Sequence, residues 1–227
     1  MSVPAETCWT VVHAAAAGEP RAARVFAETY LGIVRAFLVR RWRGLGVLSL
    51  VDDAVQEVFL DLFRSGGALS RLDAARTPTF RAFLFGVARN VALRYEERAA
   101  QSRVRRAQTP SVLEVLPADQ QTMSRQFDLA WAQRMVARAA ERQRAWAEAS
   151  GPDAVRRVDI LRLRFAEGMP IRAIAEQLQQ PAERVHREYA RAREEFKKAL
   201  RAEVALHCRG TAADVERECQ EIVAVLS

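Results

Sequence analysis

Three groups of residues carry side chains that could make a site: the carboxylates Asp52, Asp53 and Glu57, the adjacent His207 and Cys208, and arginines gathered around positions 89 and 187. Paired carboxylates can hold a metal or share a proton, but no histidine, glycine-rich loop or further carboxylate stands at useful spacing here. No catalytic residue is therefore expected, and the chain is read as not an enzyme. Cys8, Cys208 and Cys219 are odd in number, far apart and without a CxxC pair, which argues against a disulfide framework or a zinc cluster. Neither metal nor cofactor is expected. The formal charge of +7 and the pI near 10.1 point instead to binding. The excess sits mainly in arginine, whose planar fork suits phosphates and base edges, so nucleic acid is the default partner. Acidic protein surfaces and anionic lipid would attract such a chain too.

Three surfaces follow from helical spacing. Asp52, Asp53, Gln56 and Glu57 form an acidic patch opposite a valine stripe, extended by Leu60 and Arg64, and suit a docking face for a basic partner. Arg81, Arg89, Asn90, Arg94 and Arg98 lie along one helix, and Arg103, Arg105 and Arg106 continue the basic run. Such a stripe meets phosphates, while aromatic rings beside it can hold unstacked bases. Phe80, Phe83 and Tyr95 fit the buried stripe better than that role. The third surface lies in Ile171 to Arg193, laid out as a helix-turn-helix: Ile174, Ala175 and Leu178 inward, a tight turn, then a helix from Pro181. Val185, Tyr189, Ala192 and Phe196 share its inner stripe. Arg184, Arg187, Glu188 and Arg191 project oppositely, with His186 at the edge, as a groove-facing helix requires. Arg184 and Glu188, four residues apart, are also placed to pair with each other.

The elements that must carry these surfaces are helices. Half of the 227 residues are hydrophobic, while glycine (10) and proline (8) are sparse, and no run of alternating residues suggests a strand. Apolar residues at helical spacing predict helices over 21–42, with Phe26, Tyr30, Ile33, Val34, Phe37 and Leu38, and over 51–62, with Val51, Val55, Val58, Phe59 and Leu62. A third begins beside Pro78, capped by Thr77 or Thr79, and carries Phe80, Phe83, Leu84, Val87, Val91 and Tyr95. Further helices are expected over 127–149, over a segment buried through Val155, Val158, Leu161 and Phe165, over 171–178, from Pro181 to about 206, and at the acidic C-terminus. Residues 202–227 hold five acidic and two basic groups, a net of -3. The fold class is all-α, with two small helical domains joined by a flexible linker and followed by a C-terminal helical extension. The expected boundaries are 1–100, a linker at 101–125, 126–206 and 207–227. No stretch reaches the roughly 18 apolar residues of a membrane span, and the first twenty lack a secretory signal, so a cytoplasmic location is expected.

These motifs together resemble the sigma-70 family of transcription initiation factors, in its small extracytoplasmic-function (ECF) class. Residues 51–60, VDDAVQEVFL, look like the polymerase-docking helix of region 2, and 80–94, FRAFLFGVARNVALR, like its promoter-melting helix. Residues 161–168, 171–178 and 185–193 are similar to the helix-turn-helix domain, region 4. The resemblance implies that 1–100 is the region 2 domain and 126–206 the region 4 domain. It implies that Asp52, Asp53, Gln56, Glu57 and Leu60 bind core RNA polymerase at the β′ coiled coil, with the β flap as a further contact. Arg81, Arg89, Asn90, Arg94 and Arg98 would lie along the -10 element of promoter DNA. The loop from Ser65 to Thr79 would capture a flipped base, and Arg184, His186, Arg187 and Arg191 would read the -35 element. An anti-sigma factor or kinase would regulate the protein. The stretch 7–10, the helix 127–131 and the acidic tail resemble a planctomycete-type subgroup. Read without the family, the same residues also fit a stand-alone helix-turn-helix regulator that binds DNA without polymerase.

Several positions depart from the family pattern. Gln179 and Gln180 occupy a turn where glycine and an apolar residue are common, which predicts a strained φ > 0 residue. Pro170 stands where a capping serine is usual, Glu183 and Glu188 put acid on the DNA-facing helix, and Phe83 replaces a common tryptophan.

Overall fold

A computed structural model describes residues 8–64, 66–72, 79–106, 120–208 and 210–227. The chain is all-α, with no strand among the described residues. In chain order the helices are α1 (Cys8–Ala16), α2 (Pro20–Trp42), α3 (Val51–Phe63), α4 (Phe80–Arg106), α5 (Gln120–Ser150), α6 (Pro152–Phe165), α7 (Ile171–Gln177), α8 (Ala182–His207) and α9 (Ala212–Leu226). A 3-10 turn at Leu48–Leu50 leads into α3. Contacts divide the chain into two compact units, Met1–Arg134 with Leu206–Ser227, and Met135–Ala205.

In the first unit α2 is the central stave. Pro20 starts it, where a missing N–H costs nothing, and Ala22, Phe26, Tyr30, Ile33, Val34, Phe37, Leu38 and Trp42 are all buried. Beyond it Gly44 and Gly46 take positive φ and turn the chain. Helix α3 buries Val51, Ala54, Val55, Val58 and Leu62, leaving its acidic face outward. At its end a Cβ on Gly67 would lie 2.6 Å from the Arg64 carbonyl oxygen, so this loop start admits no side chain. Thr79 opens α4 by accepting the Ala82 N–H at 3.2 Å. Phe80, Leu84, Ala88, Val91 and Ala92 form the α4 inner stripe.

Segments distant in sequence complete this core. Phe127 of α5 meets Phe37 and Phe85 edge-on or tilted, at 5.6 and 5.4 Å between ring centroids. Trp131 stacks on Tyr30 at 6.2 Å, and the Tyr30 hydroxyl is 2.9 Å from Nδ1 of buried His207. From α9, Cys219 and Ile222 are buried. Trp9 of α1, a helix for which the sequence pattern gave no expectation, sits edge-on to Phe80 at 6.0 Å.

The second unit is centred on Ile160, Leu163, Ile174, Ala175 and Val185, with Met169, Ile171, Leu178, Ala182 and Tyr189 packed around them. Gln143 donates to the Ala192 carbonyl at 2.9 Å, tying α5 to α8. Glu203, only 2% exposed, accepts from Arg138 and Arg142 at 3.3 and 2.6 Å, so two guanidinium groups compensate one buried carboxylate.

The structure corrects several expectations. The linker expected at 101–125 is shorter at both ends, because α4 runs to Arg106 and α5 starts at Gln120; residues 107–119 lie outside the described set. Helix α5 belongs to the first unit up to Arg134, and the C-terminal helix joins that unit as well. The reason is burial: Phe127, Trp131 and Ile222 find their apolar partners there. In α6 the buried residues are Ala154, Ile160 and Leu163, whereas Phe165 is 70% exposed. The α6 stripe is thus rotated from the expected Val155, Val158, Leu161 and Phe165. In α4, Ala88 and Ala92 take inner positions while Phe83, Val87 and Tyr95 are half-buried.

Candidate functional site

Helix α3 presents Asp52, Asp53, Gln56 and Leu60 to solvent, with Leu60 61% exposed. Their spacing places them on one face, opposite the buried valines. Leu48, in the turn just before α3, is also exposed. The face is thus acidic with apolar residues at two points, a composition suited to a basic protein surface carrying a small apolar patch. Arg35 of α2 pairs with Asp52 at its edge. Asp53 and Gln56 make no ion pair or side-chain hydrogen bond among the described residues.

Glu57 turns the other way. Arg94 of α4 donates to Glu57 at 2.8 Å and to Asp61 at 2.7 Å, while Arg98 lies 3.7 Å from Glu57. The hydrogen bond to Asp61 is the chief reason that the Arg94 pKa stands above its ordinary value. The Arg98 guanidinium also lies over the Tyr95 ring, 5.6 Å from its centroid. The acidic helix and the basic helix are therefore joined by a pair of carboxylates facing a pair of arginines. Ion pairs this open to solvent are worth about 0.2–1 kcal/mol each, so Arg94 can exchange one anion for another at modest cost. Asp61 and the α3 to α4 junction were not singled out in the sequence, although 57, 61 and 94, 98 are both i, i+4 pairs.

The remaining α4 residues are placed differently. Asn90 is exposed; Arg89 is half-buried, its Nε buried without a hydrogen-bond partner among the described residues. Arg81 faces α5 and α9 rather than α3. Its guanidinium lies 3.5 Å from Asp128, 3.3 Å from Glu218 and 2.5 Å from Glu221. Burial works against its charge, yet these three carboxylates outweigh it and hold the pKa above the ordinary value. Burial likewise pushes the carboxyls of Asp128 and Glu218 upward, Arg81 pulling each of them back in part. Glu218 and Glu221 belong to the tail whose net negative charge the sequence showed; that they and Asp128 meet Arg81 in particular was not legible, because each comes from a distant element. The side chains of Arg103, Arg105 and Arg106, and residues 65 and 73–78 of the loop, lie outside the described residues.

In the second unit, Pro170 precedes α7 in extended conformation and offers no side-chain cap. Gln179 has φ +51°, the strained turn residue that the sequence implied. The N–H of Gln179 reaches the Glu176 carbonyl at 3.1 Å and that of Gln180 the Ala175 carbonyl at 3.0 Å, closing the turn. Helix α8 then buries Val185 and Ala192, leaving Arg184, His186, Arg187 and Arg191 exposed. Arg184 pairs with Glu188 at 3.2 Å, and Arg156 of α6 reaches Glu188 at the same distance. Burial raises the Glu188 carboxyl, but the two arginines outweigh it and hold the pKa below the usual range. The Glu188 carboxylate is thereby neutralised from within, while Glu183 stands exposed. A shallow open cavity of about 430 Å³ lined by Arg172, Glu176, Gln179 and Gln180 lies along the turn.

No group of three or more histidine, cysteine, aspartate or glutamate residues that could hold a metal occurs among the described residues. Burial pushes the Cys208 thiol up to about 11, leaving it protonated and unreactive near neutrality. No helix of the described residues is long and apolar enough to cross a membrane. No curated protein matches the chain. Residues 26–104, from α2 through α4 and about a third of the chain, match the family model of sigma-70 region 2, and this match supports a role in transcription initiation for the unit that carries the acidic α3 face.

Proposed function

We propose that the protein is a sigma factor of the ECF class, which binds core RNA polymerase, recognises a two-part promoter and melts it. The observation that carries this reading is the coincidence of the sigma-70 region 2 match with an α3 face on which Asp52, Asp53, Gln56 and Leu60 stand exposed. In this reading the face docks on the β′ coiled coil of the polymerase. Helix α4 lies along the -10 element, with Arg89, Asn90, Arg94 and Arg98 toward the DNA backbone. Melting costs unstacking energy that contacts to the exposed strand offset.

Helices α7 and α8 serve as the -35 reader of a region 4 domain, which also meets the β flap. Arg187, His186 and Arg191 stand exposed on the outer face of α8, and Arg184 pairs with Glu188, itself compensated by Arg156. The arrangement lets guanidinium groups approach phosphates and guanine edges with the Glu188 carboxylate already compensated. An anti-sigma factor or kinase is the expected regulator. A cytoplasmic location follows from this role.

Run-off transcription tests the reading. Purified protein with core polymerase on genomic promoter fragments should give discrete starts. Asp53→Arg should keep the fold, since Asp53 is exposed, while weakening polymerase binding at least about tenfold, or ~1.4 kcal/mol. Absence of both polymerase binding and transcripts, together with tight specific DNA binding by the protein alone, would establish a stand-alone regulator instead.

A further inference from the structure

The C-terminal helix has a feature that promoter recognition does not require. Its start is built firmly, with Thr211 and Asp214 forming a capping box. The Thr211 N–H and hydroxyl both donate to the Asp214 carboxylate, at 2.7 and 2.9 Å. Its hold on the rest of the unit is narrow: of its side chains only Glu218, Cys219 and Ile222 are buried, while Val223, Val225 and Leu226 are exposed. Two of its carboxylates turn to one residue of α4. Glu218 and Glu221, one helical turn apart, bracket Arg81, and Asp128 of α5 approaches from a third side. The Arg81 side chain is left only 17% exposed.

Three carboxylates around one guanidinium are over-supplied with negative charge. Asp128 alone could balance Arg81, so the two glutamates of α9 add mutual repulsion in a partly desolvated place. Burial chiefly raises the pKa of Glu218; Arg81 pulls it back in part, and Glu221 and Asp128 add smaller upward pushes. A purely structural clamp would be better built with one acid. Two carboxylates turned toward an arginine also present the kind of oxygen array that a phosphate presents to it. Between α8 and α9, Cys208, Gly210 and Thr211 are non-helical, so the two helices are not one continuous rod.

We propose that α9 is a releasable acidic latch: in the resting protein Glu218 and Glu221 occupy on Arg81 the place that a nucleic-acid phosphate takes when the first unit engages DNA. The latch regulates the proposed nucleic-acid surface of α4 and rests on that part of the functional reading. Release exchanges two intramolecular carboxylates for a phosphate and adds Arg81 to the basic surface. The exchange needs no new chemistry and no cofactor.

The test uses the full chain without polymerase and a fluorescein-labelled single-stranded oligonucleotide of mixed sequence, read by anisotropy over a salt series. Glu218→Gln with Glu221→Gln should tighten binding about five- to twentyfold at low salt. The slope of log K against log salt should steepen by about 0.7, one single-strand phosphate contact. Adding Arg81→Ala should abolish the gain. No tightening, or a gain that survives Arg81→Ala, overturns the latch. A second measurement needs no variant: amide exchange of residues 212–226 in the unaltered protein should quicken when oligonucleotide saturates it, and unchanged protection overturns the proposal. If release and tightening occur but run-off transcription fails, the sigma reading falls and the latch stands. If transcription succeeds without them, the reverse holds.

Discussion

The two candidate nucleic-acid faces, that of α4 in the first unit and that of α8 in the second, hold their arginines differently. In the first, Arg81 sits among Asp128, Glu218 and Glu221, Arg94 between Glu57 and Asp61, and Arg41 holds Glu96 at 2.8 and 2.9 Å. In the second, Arg187 and Arg191 project from α8 with no ion pair among the described residues, and Glu188 on the same helix is already engaged. A basic stripe is thus not one kind of object. Where a helix packs among others, its cations are drawn into interhelical pairs, and any nucleic acid must compete for them. Where a helix stands at the edge of a small core, its outer face stays open to a groove. On the proposed reading, one chain thereby carries a nucleic-acid surface that is conditional and another that is ready.

Four experiments bear on the contrast, beginning with the largest effect. Trp131→Ala should cost the first unit about 3–5 kcal/mol, because the ring is buried against Tyr30 and His207. Thermal unfolding followed by fluorescence should show it, and α9 should lose amide protection in parallel, since both belong to that unit. An unchanged melt would break the claim that α5 and α9 complete the first core.

Arg187→Ala should weaken specific duplex binding by about 1–3 kcal/mol if the side chain reads a base edge, and uniformly across sequences with a shallower salt slope if it meets a phosphate. Arg94→Ala should cost less than Arg187→Ala, because binding through Arg94 must first displace Glu57 and Asp61. Equal losses would remove the distinction between conditional and ready surfaces.

Gln179→Gly should stabilise the second unit by about 0.7 kcal/mol, the middle of a range of about 0–1.5 kcal/mol. The gain is the relief of ~1–2 kcal/mol of left-handed strain less the ~0.5–1 kcal/mol entropy that glycine loses on folding. A denaturant midpoint that falls instead would show that the glutamine side chain contributes more than its backbone costs.

The smallest expected effect is with pH, and its sign differs along α9. Asp214 is held below the usual carboxylate range, chiefly by the Thr211 N–H. A depressed carboxyl stabilises the fold above its unfolded pKa, and that contribution is lost as pH falls through the folded value. Glu218 and Asp128 are raised, chiefly by burial. Their contribution is fully present below the unfolded pKa and is lost as pH rises through the folded one. Protection of α9 amides, corrected for intrinsic exchange, should therefore rise on mild acidification from neutrality and fall again in stronger acid. A monotonic decline from neutrality downward would show that the capping box alone governs the helix.

Much of this was legible in the chain itself. The stripe Phe26, Tyr30, Ile33, Val34, Phe37 and Leu38 predicted α2 because those residues recur at the period of a helix, and all six are buried. The outward carboxylates of α3 and the outward arginines of α8 followed from the same geometry, since a buried stripe dictates what faces away. Gln179 showed its strain in the sequence because a helix-turn-helix turn needs φ > 0 there and glutamine lacks the freedom of glycine.

Local periodicity determined the helices, their inner and outer faces, and the sign of charge that each outer face carries, because these depend only on residues within a few turns of one another. Tertiary structure alone decided which charges remain available. Whether Arg81 meets solvent or Glu218 and Glu221 depends on a helix 140 residues away in the chain, and whether α5 ends one core or begins another depends on where Phe127 and Trp131 find apolar partners. Burial and pairing are sums over neighbours, and the neighbours of a residue are set by the whole fold.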